Sequence, residues 1–330
     1  DLAWDAGANA ATHNVYFSAS HDEVASAASA ALVGDGLALD VTTLDVGPLE
    51  YGQTYYWRVD EVNAAPDNTV VEGAVWSFTV EPFAYPIENI TATASSFQDT
   101  MGPENTVNGS GLNADDQHST ELTNMWMTTD AKPHWIQFEF DKVYKLDTLR
   151  VWNSNQLIES FLGFGAKHVT IEYSADGQTW DTLEGVPEFA RAPGAATYTA
   201  NTTVDFGGVS AKFVKLTIDT TWGGMAAQTG LSEVRFFYVP VQAFQPVPQA
   251  GTTDVAVDAS LAWRPGREAA SHTVSIGTDS AAVTEGLVAG SVTDDAEYTP
   301  ASLDFATTYY WKVDETGDAG PASPETSHGL

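Results

Sequence analysis

The chemistry this chain could do begins with a few aromatic side chains in glycine-rich or polar company. Trp222 lies in TTWGGMAAQTG (220–230), with glycine on its C-terminal side and polar residues around it. Phe161 and Phe164 lie in SFLGFG (160–165), another glycine-rich stretch. Trp152 alternates with Leu149 and Val151 and stands beside Asn153 and Asn155. An exposed ring of this kind can lie against the apolar face of a pyranose, with planar hydrogen-bonding groups at its rim. His118 and Arg191 are the polar candidates for that rim. Trp126, Trp180 and Tyr173 fall in apolar alternation and are expected in the core.

Signatures of catalysis are missing. The sequence holds no GxSxG, no HExxH, no P-loop and no complete GxGxxG, and its seven histidines form no HxH or HxxxH pair. With 45 acidic residues, chance pairs of carboxylates are expected, and no glycosidase dyad follows from them. A non-catalytic chain is expected.

The elements that must position these residues are strands. Turn dipeptides at Asn108-Gly109, Asp176-Gly177, Gly207-Gly208 and Gly223-Gly224 punctuate short alternating runs, which makes the chain all-β. TYYWRVDEVN (54–63) returns as TYYWKVDETG (308–317). Leu2, Trp4 and His13 match Leu261, Trp263 and His272 at an offset of 259, and Tyr55 and Trp57 match Tyr309 and Trp311 at 254. A unit of about 80 residues is therefore duplicated, and a repeat decides the architecture. Trp4, Tyr55, Trp57, Val59 and Trp76 are expected in the core of the first copy. That copy ends in VWSFTV (75–80). The second runs into ETGDAGPASPETSHGL with no such strand, so truncation and an open edge are expected there. The prolines of EPFAYP and VPVQAFQPVPQ mark stiff joins, giving units at 1–81, 88–239 and 249–330.

Composition narrows the partners. The net charge is −32 over 330 residues, spread as −11 for 1–80, −11 for 81–240 and −10 for 241–330. Such a surface repels phosphate backbones, so neither nucleic acid nor an anionic membrane surface is an expected partner. No apolar run approaches the roughly 20 residues of a membrane helix, so no insertion is expected. No cysteine is present, which excludes disulfides and thiolate metal sites. The chain opens inside what reads as a strand, DLAWD, as a piece of something longer would.

The duplicated units resemble fibronectin type III and related immunoglobulin-like sandwiches, on the early tryptophan and the Tyr-Tyr-Trp strand. The middle segment carries, in order, ASSF (94–97), NTVNGSG (105–111), NMW (124–126), PHWIQFEF (133–140), LDTLRVWN (146–153), VTIEYSADGQTW (169–180), AKFVKLTI (211–218) and GLSEVRFFY (230–238). It resembles the discoidin-type, galactose-binding-like jelly roll of coagulation factor C domains and many bacterial carbohydrate-binding modules. The whole resembles sections of large secreted surface proteins of environmental bacteria. The resemblance implies a glycan partner, an extracellular or cell-surface location and a role in adhesion. The rival reading is a spacer or self-assembly unit that contacts neighbouring copies or other surface proteins. The resemblance also implies a structural calcium site. Glu233 matches the family's glutamate, Asn108 stands in the place of an aspartate, and Asn124 in the place of a threonine. The insertion SGLNADDQHSTEL brings Asp115 and Asp116 as replacement charge.

Overall fold

The computed structural model describes residues 1–129, 132–223, 227–317 and 326–329, the last four by backbone alone. Among these residues no α-helix exceeds five residues, and strands carry the fold. The protein is all-β. It divides into two compact units, Asp1–Phe83 and Ala84–Leu330.

In the first unit Ala10–Ser18 pairs with Leu32–Ala38 on one side and Thr54–Asn63 on the other. Val70–Val71 and Trp76–Thr79 continue the sheet beyond Thr54–Asn63. Leu2–Ala3 and Thr43–Leu44 form a second, two-stranded sheet. Period-two alternation puts Trp57 and Val59 on one face of their strand, where they join Leu2, Val15, Trp4, Phe17 and Phe78 in the core. The other face is also covered. Arg58 and Asp60 are buried there and joined by a hydrogen bond of 2.9 Å, and the Arg58 guanidinium reaches Ala25 O at the end of the short helix His21–Ala25. Trp76 departs from expectation. Its ring lies 4.7 Å from that of Trp57, yet the side chain is 45% exposed and caps the core from outside.

The second unit starts with the sandwich of the middle segment. Its central element is Trp135–Asn153, 19 residues long. The first half pairs with Ile90–Ala94 and Ser210–Thr221; the second pairs with Thr202–Asp205 and Gly230–Val239. The register shifts between Glu139 and Tyr144, so one strand serves both layers. Ile136, Phe138, Phe140, Leu149, Val214, Leu216 and Phe236 are buried between them, as their alternation requires. Tyr85–Pro86 already belongs to this sandwich, through its pairing with Phe237–Tyr238.

The second copy of the repeat completes this unit. Ala269–Gly277 pairs with Ser291–Thr293 and Tyr310–Gly317, while Phe244–Val247, Leu261–Arg264 and Glu297–Tyr298 form the facing sheet. Leu261, Trp263, Val274 and Val313 are its buried core. Thr326–Gly329 pairs with Val313–Thr316, near the place that Val70–Val71 takes in the first copy, and Thr308–Lys312 has no partner on that side among the described residues. The join to the middle sandwich is a packed contact. Arg267 donates its backbone N–H to Pro240 O at 2.8 Å, and its guanidinium stands 5.8 Å from the Tyr85 ring and 5.9 Å from that of Phe244. Lys145 Nζ reaches both Glu268 oxygens at 2.6 and 2.8 Å.

Candidate functional site

At one end of the middle sandwich the loops 153–165, 190–201 and 222–223 are tied together by buried polar side chains. Glu159 is the knot. It is fully buried, and its carboxylate accepts the N–H groups of Phe164 at 3.1 Å and Gly165 at 3.0 Å. Burial raises its pKa above the ordinary carboxylate value. Arg191 stands against it, with Nε 3.9 Å from Oε1 and a guanidinium hydrogen bond to the Glu159 carbonyl. Gly163 has φ +65°, and a Cβ there would lie 2.3 Å from the Gly223 nitrogen. Glycine is needed because the two loops touch backbone to backbone.

Two asparagines do the same work one layer below. Asn155 donates to the carbonyls of His118, Ser119 and Ala195 at 3.1, 3.1 and 2.8 Å, and accepts from Gly194 and Ala195. Asn153 donates to Ala166 O and Ala190 O, and its own N–H donates to the Tyr198 hydroxyl at 2.8 Å. These are side chains replacing a backbone ladder where three loops converge.

This framework holds up an apolar ridge. Phe161 is 85% exposed, and Leu157, Ile158 and Leu162 beside it are exposed too. Phe164 and Arg191 are half-buried at its foot. Trp222 is not the free tip its glycines suggested. Its indole N–H donates to Phe189 O at 2.9 Å, and the Lys167 ammonium lies 4.7 Å from its ring centre. Gly224 to Ala226 lie outside the described residues.

Two expected binding residues, one a ring and one from the rim, are corrected. Trp152 is 1% exposed; its indole N–H donates to Asp116 O at 3.0 Å and the Arg235 guanidinium stacks on its ring at 5.3 Å. The insertion at 110–122 folds over it, so no face remains for a sugar. His118 is fully buried, with Nδ1 2.9 Å from Ser119 O and Gly111 packed on its other nitrogen. Burial holds its pKa below the ordinary value.

The expected metal ligands gather only in part. Glu233 is 4% exposed; Oε1 accepts the Gly109 N–H at 3.2 Å, and Oε2 is buried without a partner. Burial pushes its pKa up to about 7. An orphaned buried carboxylate oxygen beside a tight turn is a donor suited to a hard cation. Asn108 caps its own turn, accepting from Ser110 N–H at 2.9 Å, and Asn124 donates to Ser119 Oγ at 3.2 Å. The replacement charges do not arrive. Asp115 is exposed, and Asp116 is held by Arg235 in a two-pronged pair at 2.9 and 3.0 Å. No group of three His, Asp or Glu side chains fit to hold a metal occurs among the described residues.

Known proteins bear on this segment. No curated protein matches the chain. Among solved structures, a family 32 carbohydrate-binding module of a family 31 glycoside hydrolase from Clostridium perfringens aligns at 20% identity and TM-score 0.37, covering 47% of this chain and 95% of that one. The family 32 module of NanJ from C. perfringens, in complex with galactose, aligns at 18% and 0.33, covering 47% and 98%. A family 89 glycoside hydrolase of C. perfringens aligns at 13% and 0.33, covering 46% of this chain but only 14% of its own length. Residues 91–233, which hold both the Glu159 knot and Glu233, match the family model of the F5/8 type C domain.

Proposed function

We propose that the middle sandwich is a non-catalytic carbohydrate-binding module, working outside the cell in adhesion and carried between two fibronectin type III-like sandwiches. The observation that carries this reading is Phe161, held almost fully exposed on a loop that Glu159, Arg191 and the Gly163–Gly223 contact make rigid. A ring so placed can lie against a pyranose without first being ordered, and preorganisation of this kind favours affinity. Arg191 at the foot of the ridge would supply the polar contact. In each duplicated unit a tyrosine hydroxyl accepts a backbone N–H five residues upstream, from Glu50 to Tyr55 at 3.2 Å and from Asp304 to Tyr309 at 3.1 Å. Such tyrosine corners mark immunoglobulin-like sandwiches and support the reading of the flanks.

The test is titration with galactose and a broad glycan screen. Phe161→Ala should weaken binding by about tenfold, the loss of one stacking contact, while the unfolding transition stays within about 0.5 kcal/mol because the ring is exposed. Glycan binding unchanged in this variant would place the site elsewhere. No glycan bound by the wild type would leave the spacer reading, in which the same apolar ridge packs against another protein.

Calcium belongs to the same proposal, with Glu233 and the Asn108–Gly109 turn as its holders. Added to chelator-treated protein, calcium should raise the melting temperature through its linkage to folding, and Glu233→Ala should remove the increment. A wild type indifferent to calcium overturns this.

A further inference from the structure

The chain holds a single Asn-Gly pair, Asn108-Gly109. Such a pair can react with itself: the glycine nitrogen attacks the side-chain carbonyl carbon of the asparagine, and glycine has no Cβ to crowd the ring that forms. Gly109 has φ +68° and open space where a Cβ would stand. Asn108 is exposed, so water reaches the ring once it has closed.

Three hydrogen bonds around the pair each assist that reaction. The Gly109 N–H, whose nitrogen is the nucleophile, donates to Glu233 Oε1 at 3.2 Å, so a carboxylate stands ready to take its proton. Asn108 Oδ1, on which negative charge develops, accepts the Ser110 N–H at 2.9 Å. Asn108 Nδ2, the leaving nitrogen, donates to Asn105 Oδ1 at 3.4 Å, and this holds the amide in one orientation. Glu233 is almost fully buried, and its Oε2 has no partner among the described residues. The exposed Asn113 and Asn201 precede alanine and threonine and lack such a setting.

We infer that this turn converts its own Asn108 to aspartate and thereby completes, with Glu233, a seat for a hard cation. The Gly109 nitrogen bonds to Asn108 Cγ and passes its proton to Glu233. The Cγ–Nδ2 bond breaks, Glu233 returns the proton to the leaving nitrogen, and ammonia departs. Water opens the resulting succinimide, at Cγ to give aspartate or at the main-chain carbonyl to give isoaspartate. The sum is one water consumed and one ammonia released. A carboxylate at 108 then shares the turn with Glu233, and carboxylates beside the carbonyls of a tight turn are what a hard cation takes as ligands. The cation rests on the calcium reading above; the conversion does not.

The test is peptide mass spectrometry of the full chain, held at neutral pH with a chelator in water enriched in heavy oxygen. Position 108 should lose its amide and take up the heavy isotope at least about tenfold faster than Asn113 or Asn201. The folded chain should convert faster than the same chain in urea, and Glu233→Gln should slow the folded chain by about a hundredfold. Conversion no faster than in urea would show that the fold protects the pair and would overturn the proposal, whether or not Glu233→Gln folds. Asn108→Asp supplies the product from the start. It should bind calcium about tenfold more tightly than freshly made wild type, read as a larger rise in melting temperature. If position 108 converts but Asn108→Asp gains nothing from calcium, the completed seat is overturned. If Asn108→Asp responds to calcium and fresh wild type does not, the amide-based site proposed above falls and this one stands.

Discussion

The two copies of the duplicated sandwich keep the same buried polar fastener and differ in how deeply they bury it. In the first, Glu61 accepts the Gly7 N–H at 3.0 Å and pairs with His13 Nδ1 at 2.6 Å, and His13 meets the Trp4 ring at 5.6 Å. In the second, Glu315 accepts the Gly266 N–H at 3.0 Å and pairs with His272 at 3.0 Å, and His272 meets Trp263 at 5.3 Å. The Glu61 side chain is 19% exposed and that of Glu315 2%. The copies also diverge at Arg58, which binds Asp60, Glu72 and Ala25 O, where the second has Lys312 paired with Asp314 at 3.0 Å. What persists through the duplication is the tie between the first loop and the long strand. What drifts is the burial around it. The lesson is that a sandwich is specified by its polar ties as well as by its apolar face.

The largest expected effect breaks that fastener. Glu315→Ala strips a buried histidine of its carboxylate, leaving it the Trp263 indole N–H at 3.3 Å, and leaves the Gly266 N–H unpaired; it should cost the second sandwich about 3–5 kcal/mol. Glu61→Ala, at a carboxylate that water already reaches, should cost the first about 1–2 kcal/mol. Urea unfolding with hydrogen exchange read separately in each copy checks this, and equal costs would show that burial is not the difference. Next comes Phe78→Ala in the first copy. It should cost about 2 kcal/mol and speed exchange at Thr54–Trp57, the stretch that Phe78's strand pairs with.

The smallest effect is in the pH dependence. Burial pushes Glu315 up to about 7 and holds His272 below its ordinary value. Between the ordinary carboxylate and imidazole values the two shifts oppose each other: the raised Glu315 makes stability fall as the pH climbs, and the lowered His272 makes it rise. Glu315→Gln removes one partner. His272, with a lowered pKa, then binds fewer protons folded than unfolded, and stability should rise as the pH climbs toward 6.5. A flat profile in the variant would mean that His272 is not the group responsible.

Much of the fold was legible in the sequence because alternation and an internal repeat are local and self-checking. Ile136, Phe138 and Phe140 had one reading, and the repeat offsets placed Tyr55 and Tyr309 without any structure. The fastener was half visible. His13 and His272 aligned, but nothing set Glu61 and Glu315, equally aligned in VDEVN and VDETG, apart from the other acids of a chain crowded with them. The site was harder, because burial at loop ends is decided by what folds over them. Trp152 sits where Trp135–Asn153 shifts register, so alternation no longer reports its face, and the insertion that covers it was read as a source of metal ligands. Trp222 had the right neighbours for a tip, yet nothing in TTWGG announced the carbonyl of Phe189 or the ammonium of Lys167. Glu159 went unread altogether; its only trace was a carboxylate placed just before a glycine turn.

The join at 240–248 has a mechanical meaning. A free segment of that length would act as an entropic spring, extending to about 30 Å before it drew taut. Here the Arg267 hydrogen bond to Pro240, its stacking on Tyr85 and Phe244, and the Lys145–Glu268 pair hold the segment against both of its neighbours. A load pulling the middle sandwich from the second copy must first rupture these contacts and strip Phe244–Val247 from Leu261–Arg264, and only then does the slack pay out. The joint therefore behaves as a latch with a threshold, stiff under small forces and yielding in one step under large ones. Salt weakens its ionic part and lowers the threshold.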